Sequence, residues 1–575
     1  MELSGRAIQH VIHPTAACSS TDDFDPQEPP STPSSTTSWD ESLLNPKNRI
    51  DSLELPRYPL FRVDGCTGLG TQFYIVPLFF PAVPPVRADV FIPETQPAIL
   101  REQLDLDVAF HTKDAARLSH LGISRYVVRA LHYWVKAEFE DLAAFEKYYR
   151  TIPFGSRLVI DNLSFDMQKS TIRVFTNHNL ERQLLSLTAL TQLWGADFPF
   201  PQAIDFYEVE VIKILHDSVC LARIRGDLFI FKALTSGAKY LYHELKTLCT
   251  LGSHPNVIAR PIHVVTKMCS FGGKRAVTGF TTFFHPNGSL RDILPLLRIH
   301  NQLERAQQFK WAIQLTAALE HLRFTSRTYY PDLRLDNIVL SESWEIVMVD
   351  FEQRGVWCEF AAPEVNALEY IYLVATEEDA DPEIRERYTD ILKQFVPNFE
   401  ALEKMEYTNP PDGYNVPWLA LSCEEQEAAE VYMLGRVLWC IFEGVSGPQR
   451  AAVWQSYPWE SHLEFPQFSR TPPEMRGLIE RCTHGRRDTL SSIVTRSGSR
   501  LVIKGLDPQT YGPREVREAA QNFWEKELEA AREFLAMRAE RKQQGTWEGN
   551  HYGRPSLKDV LAELKKYQGL TSRDT

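Results

Sequence analysis

Tyr330-Pro-Asp-Leu-Arg-Leu-Asp-Asn337, continued by Ile338-Val-Leu340 and then by Val347-Met-Val-Asp-Phe-Glu352, is the stretch whose reading decides the fold. Asp332 and Asn337 stand five residues apart on a polar loop. The apolar run that follows starts one strand, and a second short strand ends at Asp350. A hairpin between them would return the Asp350 carboxylate beside Asn337, where both could ligate one cation. Just upstream, Trp311, Leu315, Ala318 and Leu322 recur at i, i+4, i+7 and i+11, one face of a helix.

Further upstream the pattern changes. Apolar runs at 209–215, 219–224 and 228–234, separated by tight turns, predict an antiparallel meander. A helix over 238–251, a turn at Ser253-His-Pro-Asn256 and strand text at 276–284 come next. Sheet first and helices after predicts an α+β chain in two lobes. A small lobe over about 203–285 and a larger one over about 286–568 are expected, with insertions at about 365–425 and 486–550. Within the latter, mixed Glu, Lys and Arg around Phe523, Trp524, Leu528, Phe534 and Leu535 predict an amphipathic helix over 513–543, packed on its own domain.

Residues 1–50 are rich in Pro, Ser and Thr, as in Pro29-Pro-Ser-Thr-Pro-Ser-Ser-Thr-Thr-Ser38, and read as a disordered tail. Residues 51–202 regain large apolar side chains and read as an ordered accessory region. A helical pattern near 127–149 and strands near 157–160 and 170–175 are expected there. The net charge of −13 argues against a nucleic-acid or membrane partner. The apolar stretch at 73–86 is broken by Pro77, Pro81, Pro84 and Pro85, and no span is expected. Nine scattered cysteines without a CxxC pair, and no apolar run at 1–20, read as an intracellular chain, cytoplasmic or nuclear.

Transfer of a phosphoryl group from ATP needs a lysine on the α/β-phosphates, a glutamate to orient it, ligands for Mg²⁺ or Mn²⁺, and an aspartate for the nucleophile's proton. Lys232, late in the third strand of the meander, and Glu244, in the helix after it, precede Asp332, Asn337 and Asp350 in that order. The set resembles the catalytic loop and DFG segment of protein kinases. The resemblance implies Asp332 as catalytic base, Asn337 and Asp350 as metal ligands, and Lys232 with Glu244 as the phosphate-orienting pair. Arg334 takes the place of the kinase lysine that balances charge on the transferring group. Small-molecule kinases of the aminoglycoside and choline type use a comparable set. Four further matches favour the protein-kinase branch. They are Ser253-His-Pro-Asn256, Ala362-Pro-Glu364, Val431-Tyr-Met-Leu-Gly-Arg-Val-Leu-Trp439 and Arg554-Pro-Ser556. The family pattern implies a structural Glu364–Arg554 salt bridge and places Glu430 where the buried helix usually has aspartate.

More narrowly, Tyr242-His-Glu-Leu-Lys246, Gly288-Ser-Leu-Arg-Asp-Ile-Leu294, Asp332-Leu-Arg334 and Asp350-Phe-Glu-Gln-Arg-Gly355 resemble a group of fungal protein-kinase-like proteins with a degenerate glycine-rich loop, a resemblance that extends upstream to about Ile172 through Leu180-Glu-Arg-Gln-Leu-Leu185. Departures are equally specific. Leu215-His-Asp-Ser218 stands where the glycine-rich phosphate loop belongs and contains no glycine. Tyr330 and Pro331 replace the histidine and arginine of the HRD motif, and Glu352 replaces the DFG glycine. Residues 351–363 hold no Ser, Thr or Tyr, so phosphorylation within that stretch cannot act as a switch. The expectation is an ATP-dependent Ser/Thr-type protein kinase, with a catalytically impaired pseudokinase acting as a nucleotide-binding or scaffolding module as the alternative.

Overall fold

The computed structural model describes residues 55–571 apart from 68–71, 80–85, 91–97, 110–114, 162, 164–169, 217, 271, 357, 378–380, 450–458, 460 and 498–499. The tail at 1–50 and Asp217 lie outside the described residues. The chain is a mixed α+β protein.

Strands β1 (Phe61–Thr67), β2 (Gln72–Pro77), β3 (Arg87–Val90), β4 (Arg157–Ile160) and β5 (Ile172–Phe175) form one sheet in that order. All pairs are antiparallel except β3 with β4. A parallel pair needs a long crossover, and helices α1 (Gly122–Glu138) and α2 (Leu142–Thr151) lie within it. The helical pattern near 127–149 is therefore two helices. Asp141 breaks it, because its side chain accepts from the Ala144 amide and caps α2. Phe73, Ile75, Tyr126, Leu131 and Phe145 build a core for this sheet.

A second sheet contains β6 (Gln202–Asp205), β7 (Glu210–His216), β8 (Val219–Ile224), β9 (Asp227–Lys232), β10 (His263–Met268) and β11 (Arg275–Phe283). Its order is β6-β10-β11-β9-β8-β7, so the expected meander forms one half. Helix α3 (Ala238–Thr250) intervenes between β9 and β10. Helices then dominate: α4 (Leu290–Ile299), α5 (Arg305–Phe324), α6 (Pro363–Thr376), α7 (Pro382–Lys393), α8 (Cys423–Glu443), α9 (Pro473–Cys482), α10 (Pro513–Gln543) and α11 (Leu557–Thr571). A hairpin of β12 (Ile338–Leu340) and β13 (Ile346–Met348) follows α5, and β14 (Val494–Ser497) pairs β15 (Arg500–Ile503) before α10. One apolar core runs from the second sheet through these helices, and α8 is buried along most of its length. Leu180, Leu184 and Leu190, upstream of residue 203, belong to that same core.

The two sheets meet at β7. Tyr74 and Val76 on β2 pack against Val211, Ile214 and Cys220. The buried Asp64 accepts from the Ile214 amide at 2.8 Å and from Arg62, whose guanidinium also donates to the Ile212 carbonyl at 2.8 Å. A free edge of the second sheet is thereby covered. The accessory region thus braces the strand that leads into the glycine-free turn.

Helix α10 packs on its own chain, as its pattern suggested. Leu528, Ala531 and Leu535 enter the larger core. Its buried Arg538 donates to both oxygens of Glu425 at 2.6 and 2.7 Å.

Candidate functional site

Lys232 is the last residue of β9, where it pairs with Val219 on one side and Phe280 on the other. That position delivers its side chain beneath α3. The Lys232 Nζ lies 2.7 Å from Glu244 Oε2, 2.7 Å from Asp350 Oδ1 and 3.0 Å from Glu352 Oε1. Glu244 comes from the buried face of α3 because it follows Leu241 by three residues, one turn along the helix. Its other oxygen accepts from the Phe351 amide at 2.9 Å.

The β12–β13 hairpin brings residue 349 back beside Asn337. Ile338 opposes Met348, and the Val349 amide donates to the Asn337 carbonyl at 2.9 Å. Asn256 staples this hairpin to the turn after α3. Its side chain donates to Ile346 O, and its carbonyl accepts from the Met348 amide, each at 2.9 Å. Asp350 takes a φ of 66°, the left-handed region that Asp tolerates better than most side chains. The Asn337 amide nitrogen donates to Asp332 Oδ2 at 3.1 Å and to Asp332 O at 2.9 Å. Arg334 Nε lies 3.1 Å from the same Asp332 oxygen. The candidate residues therefore gather in two adjoining groups, one around Lys232 and one around Asp332.

Three carboxylates share one ammonium in the first group. Burial opposes the charge on Lys232, but Asp350, Glu244 and Glu352 more than offset it and hold the amine well above its ordinary value. Burial, aided by the charges of Asp350 and Glu352, pushes Glu244 up to about 7 against the pull of Lys232. Burial acts on Asp350 in the same sense, yet Lys232 and Arg334 win and keep it below the usual carboxylate range. In the second group, burial pushes Asp332 up to about 6 despite Arg334.

The supporting residues are also in place. Glu430 on α8 accepts from the Tyr330 amide at 3.0 Å and from Arg323 Nε at 2.6 Å. It thus fixes the start of the loop that carries Asp332. The Tyr330 hydroxyl donates to the Val349 carbonyl, and its ring meets Phe351 edge-on with centroids 5.1 Å apart. Glu364 and Arg554 form the implied salt bridge, at 2.5 and 3.1 Å.

Two contacts escaped sequence reading. Glu352 appeared only as a stiff replacement for a glycine, yet its carboxylate reaches Lys232. No strand alternation signals it, because Asp350 at a φ of 66° and Gln353 at 51° take this segment out of extended geometry. His243 Nε2 lies 2.8 Å from Gln353 Oε1. The Gln353 amide nitrogen donates to Tyr329 O at 2.6 Å, so its oxygen must accept and His243 carries its proton on Nε2. No local pattern marks such a pairing.

Glu244, Asp350 and Glu352 present oxygens within 4.8 Å of one another, a grouping that could hold a metal ion. Lys232 stands in the cation's place among them. The Asn337 amide nitrogen is committed to Asp332. No protein-family model matches the sequence, and no curated protein matches it. No helix among the described residues is long and apolar enough to cross a membrane.

Proposed function

We propose that the chain is a bilobal, protein-kinase-like phosphotransferase of the Ser/Thr type that uses Mg²⁺·ATP and acts on an intracellular protein. The observation that carries this reading is Lys232 bridging Glu244 and Asp350, with Asp332 bonded to Asn337 beside them. A scaffold alone has no physical need for that set. In this reading residues 203–568 form the kinase-like domain, with ATP between the six-stranded sheet and the helices. Asn337 and Asp350 would hold Mg²⁺ or Mn²⁺, which would neutralise charge on the β- and γ-phosphates. Lys232 would move from Asp350 and Glu352 onto the α/β-phosphates while Glu244 keeps it oriented. Asp332 would accept the hydroxyl proton as the oxygen–phosphorus bond forms and ADP leaves, with Arg334 balancing charge nearby.

Because burial holds Asp332 near 6, the base is ionised above that pH and protonated below it. Phosphate transfer to water or to a Ser/Thr peptide library is expected to fall as pH drops through about 6. Asp332→Asn should lower the rate by roughly 10²–10⁴-fold. A rate indifferent to both changes removes Asp332 from the chemistry.

A nucleotide-binding pseudokinase is favoured by a specific observation: Glu352 occupies Lys232, and the turn at 215–218 lacks the glycines that let backbone approach phosphate. Thermal shift with Mg²⁺·ATP separates the readings. At 100 times its Kd the ligand should stabilise the wild type by about 2.7 kcal/mol. Glu352→Gly should tighten binding roughly tenfold or more, since it removes a negative charge beside the phosphate-binding lysine. No shift at millimolar nucleotide sinks the enzyme and the nucleotide-binding readings and leaves a scaffolding pseudokinase. A shift without transfer, unaltered by Asp332→Asn, selects the pseudokinase.

A further inference from the structure

Helix α3 presents Glu244 from one face. Tyr242 Oη bonds the Leu185 amide and the Val277 carbonyl, and a further side of the helix is held by segment 402–414, contributed by the insertion at 365–425. Lys239 is buried, and its Nζ donates to the Leu402 carbonyl at 2.6 Å and to the Lys404 carbonyl at 3.0 Å. The same ammonium lies 4.9 Å from the Tyr414 ring centroid. One turn on, Tyr242 packs edge-on to Tyr407 with ring centroids 5.5 Å apart. Lys246 Nζ donates to Asn409 Oδ1 at 2.7 Å. The hold therefore spans two turns of α3, on both sides of Glu244.

The segment is itself anchored from behind. Tyr407 Oη accepts from Trp194 Nε1 at 2.7 Å and donates to Asn409 Oδ1 at 3.0 Å, while Asn409 Nδ2 donates to the Leu193 carbonyl at 3.0 Å. At the far end, the Tyr329 hydroxyl donates to the Asp412 carbonyl at 2.8 Å. Gly413 has a φ of 83° and lies so close to His243 that an added Cβ would stand 2.8 Å from its Nε2. His243 in turn bonds Gln353, three residues past Asp350. One surface of the insertion thus fixes α3, and through His243 ties it to the segment carrying Asp350 and Glu352.

We infer that residues 402–414 are a built-in clamp that holds α3 in the position where Glu244 meets Lys232, making the orienting pair constitutive. The inference rests on the functional reading above for its purpose, though not for its geometry. It supplies what 351–363 cannot, because that stretch has no hydroxyl to phosphorylate. Lys239, Lys246, Tyr407 and Asn409 are then positioning residues that act through Glu244.

The test uses the full chain carrying Tyr407→Phe with Asn409→Ala, and separately Gly413→Val, which forces the segment off His243. Amide hydrogen exchange over 238–250 is expected to rise about tenfold or more in both, while α8 at 423–443 keeps its protection. Acylation of Lys232 by an amine-reactive ester, followed by mass spectrometry, should rise as Glu244 withdraws. Lys267, buried with Glu181 on another strand, serves as the internal reference. A purely structural role would raise both lysines together. Mg²⁺·ATP affinity should fall in the clamp variants, and Lys246→Arg, which keeps the charge, should retain it. Unchanged exchange over 238–250, or equal gains at Lys232 and Lys267, overturns the clamp. If the wild type binds no nucleotide, the functional reading fails while the exchange and labelling arms still decide the clamp. If Gly413→Val does not fold, exchange and labelling of the double variant decide between the two outcomes.

Discussion

Lys232→Met is expected to abolish the Mg²⁺·ATP thermal shift and to destabilise the chain by about 3–5 kcal/mol at pH 8, but by clearly less at pH 5.5. Lys232 is 7% exposed and is the ammonium that Glu244, Asp350 and Glu352 share. Removing it leaves three carboxylates in mutual repulsion, with Glu244 fully desolvated. The sign of the pH effect follows from the proton affinities. Lys232 stays protonated across this window, so its own titration contributes nothing to it. Asp350 is held below its ordinary value by Lys232, a stabilisation present above that value and lost in strong acid. Glu244 already stands near 7 with the lysine present, and without it would hold a proton more tightly still. At pH 5.5 the variant can therefore neutralise Glu244 and relieve the repulsion, whereas at pH 8 it cannot do so without cost. Denaturant unfolding of both proteins at the two pH values measures the gap. An equal gap at both would mean that the three carboxylates do not share this charge in solution.

Arg554→Met should destabilise by a similar amount, about 3–5 kcal/mol, with no dependence on nucleotide. The guanidinium donates two bonds to Glu364, one to the Ala428 carbonyl at 2.9 Å and one to the His484 carbonyl at 3.0 Å. Its Cζ lies 4.8 Å from the ring centroids of both Tyr432 and Tyr552. The variant leaves a buried carboxylate and two carbonyls without their donor. Arg554→Lys should recover little, because a point charge cannot serve the forked arrangement or the stack. In a double-mutant cycle, Glu364→Gln with Arg554→Met should cost less than the two single changes summed. Strict additivity would remove the coupling.

Some elements were legible because their periodicity survives in one dimension. Strands β4 and β8 lie where the sequence placed them, and β8 alternates partly exposed and buried residues. Strand β2 did not declare itself, and the reason is its surroundings. Phe73 and Ile75 face the helices of the first core, while Tyr74 and Val76 face β7. A strand buried on both faces loses the alternation that identifies it. The prolines at 77, 81, 84 and 85 hid it further. Leu180, Leu184 and Leu190, upstream of the expected boundary at 203, belong to the larger core.

The sequence by itself determined the identity and order of the candidate site groups: Lys232, Glu244, Asp332, Asn337 and Asp350, with Glu364, Glu430 and Arg554 as candidate supports. Each sits on a strand end, helix face or short loop whose residue spacing survives in the linear text. Only the tertiary structure decided that Glu352 joins Asp350 on Lys232, that His243 reaches Gln353, and that residues 402–414 fold back onto α3. Those contacts join segments up to about 175 residues apart, and the burial that shifts the proton affinities of Glu244 and Asp332 arises only when such segments close over them. Charge, hydrogen-bonding capacity and backbone preference are written residue by residue, whereas desolvation and the choice among competing partners belong to the packed chain.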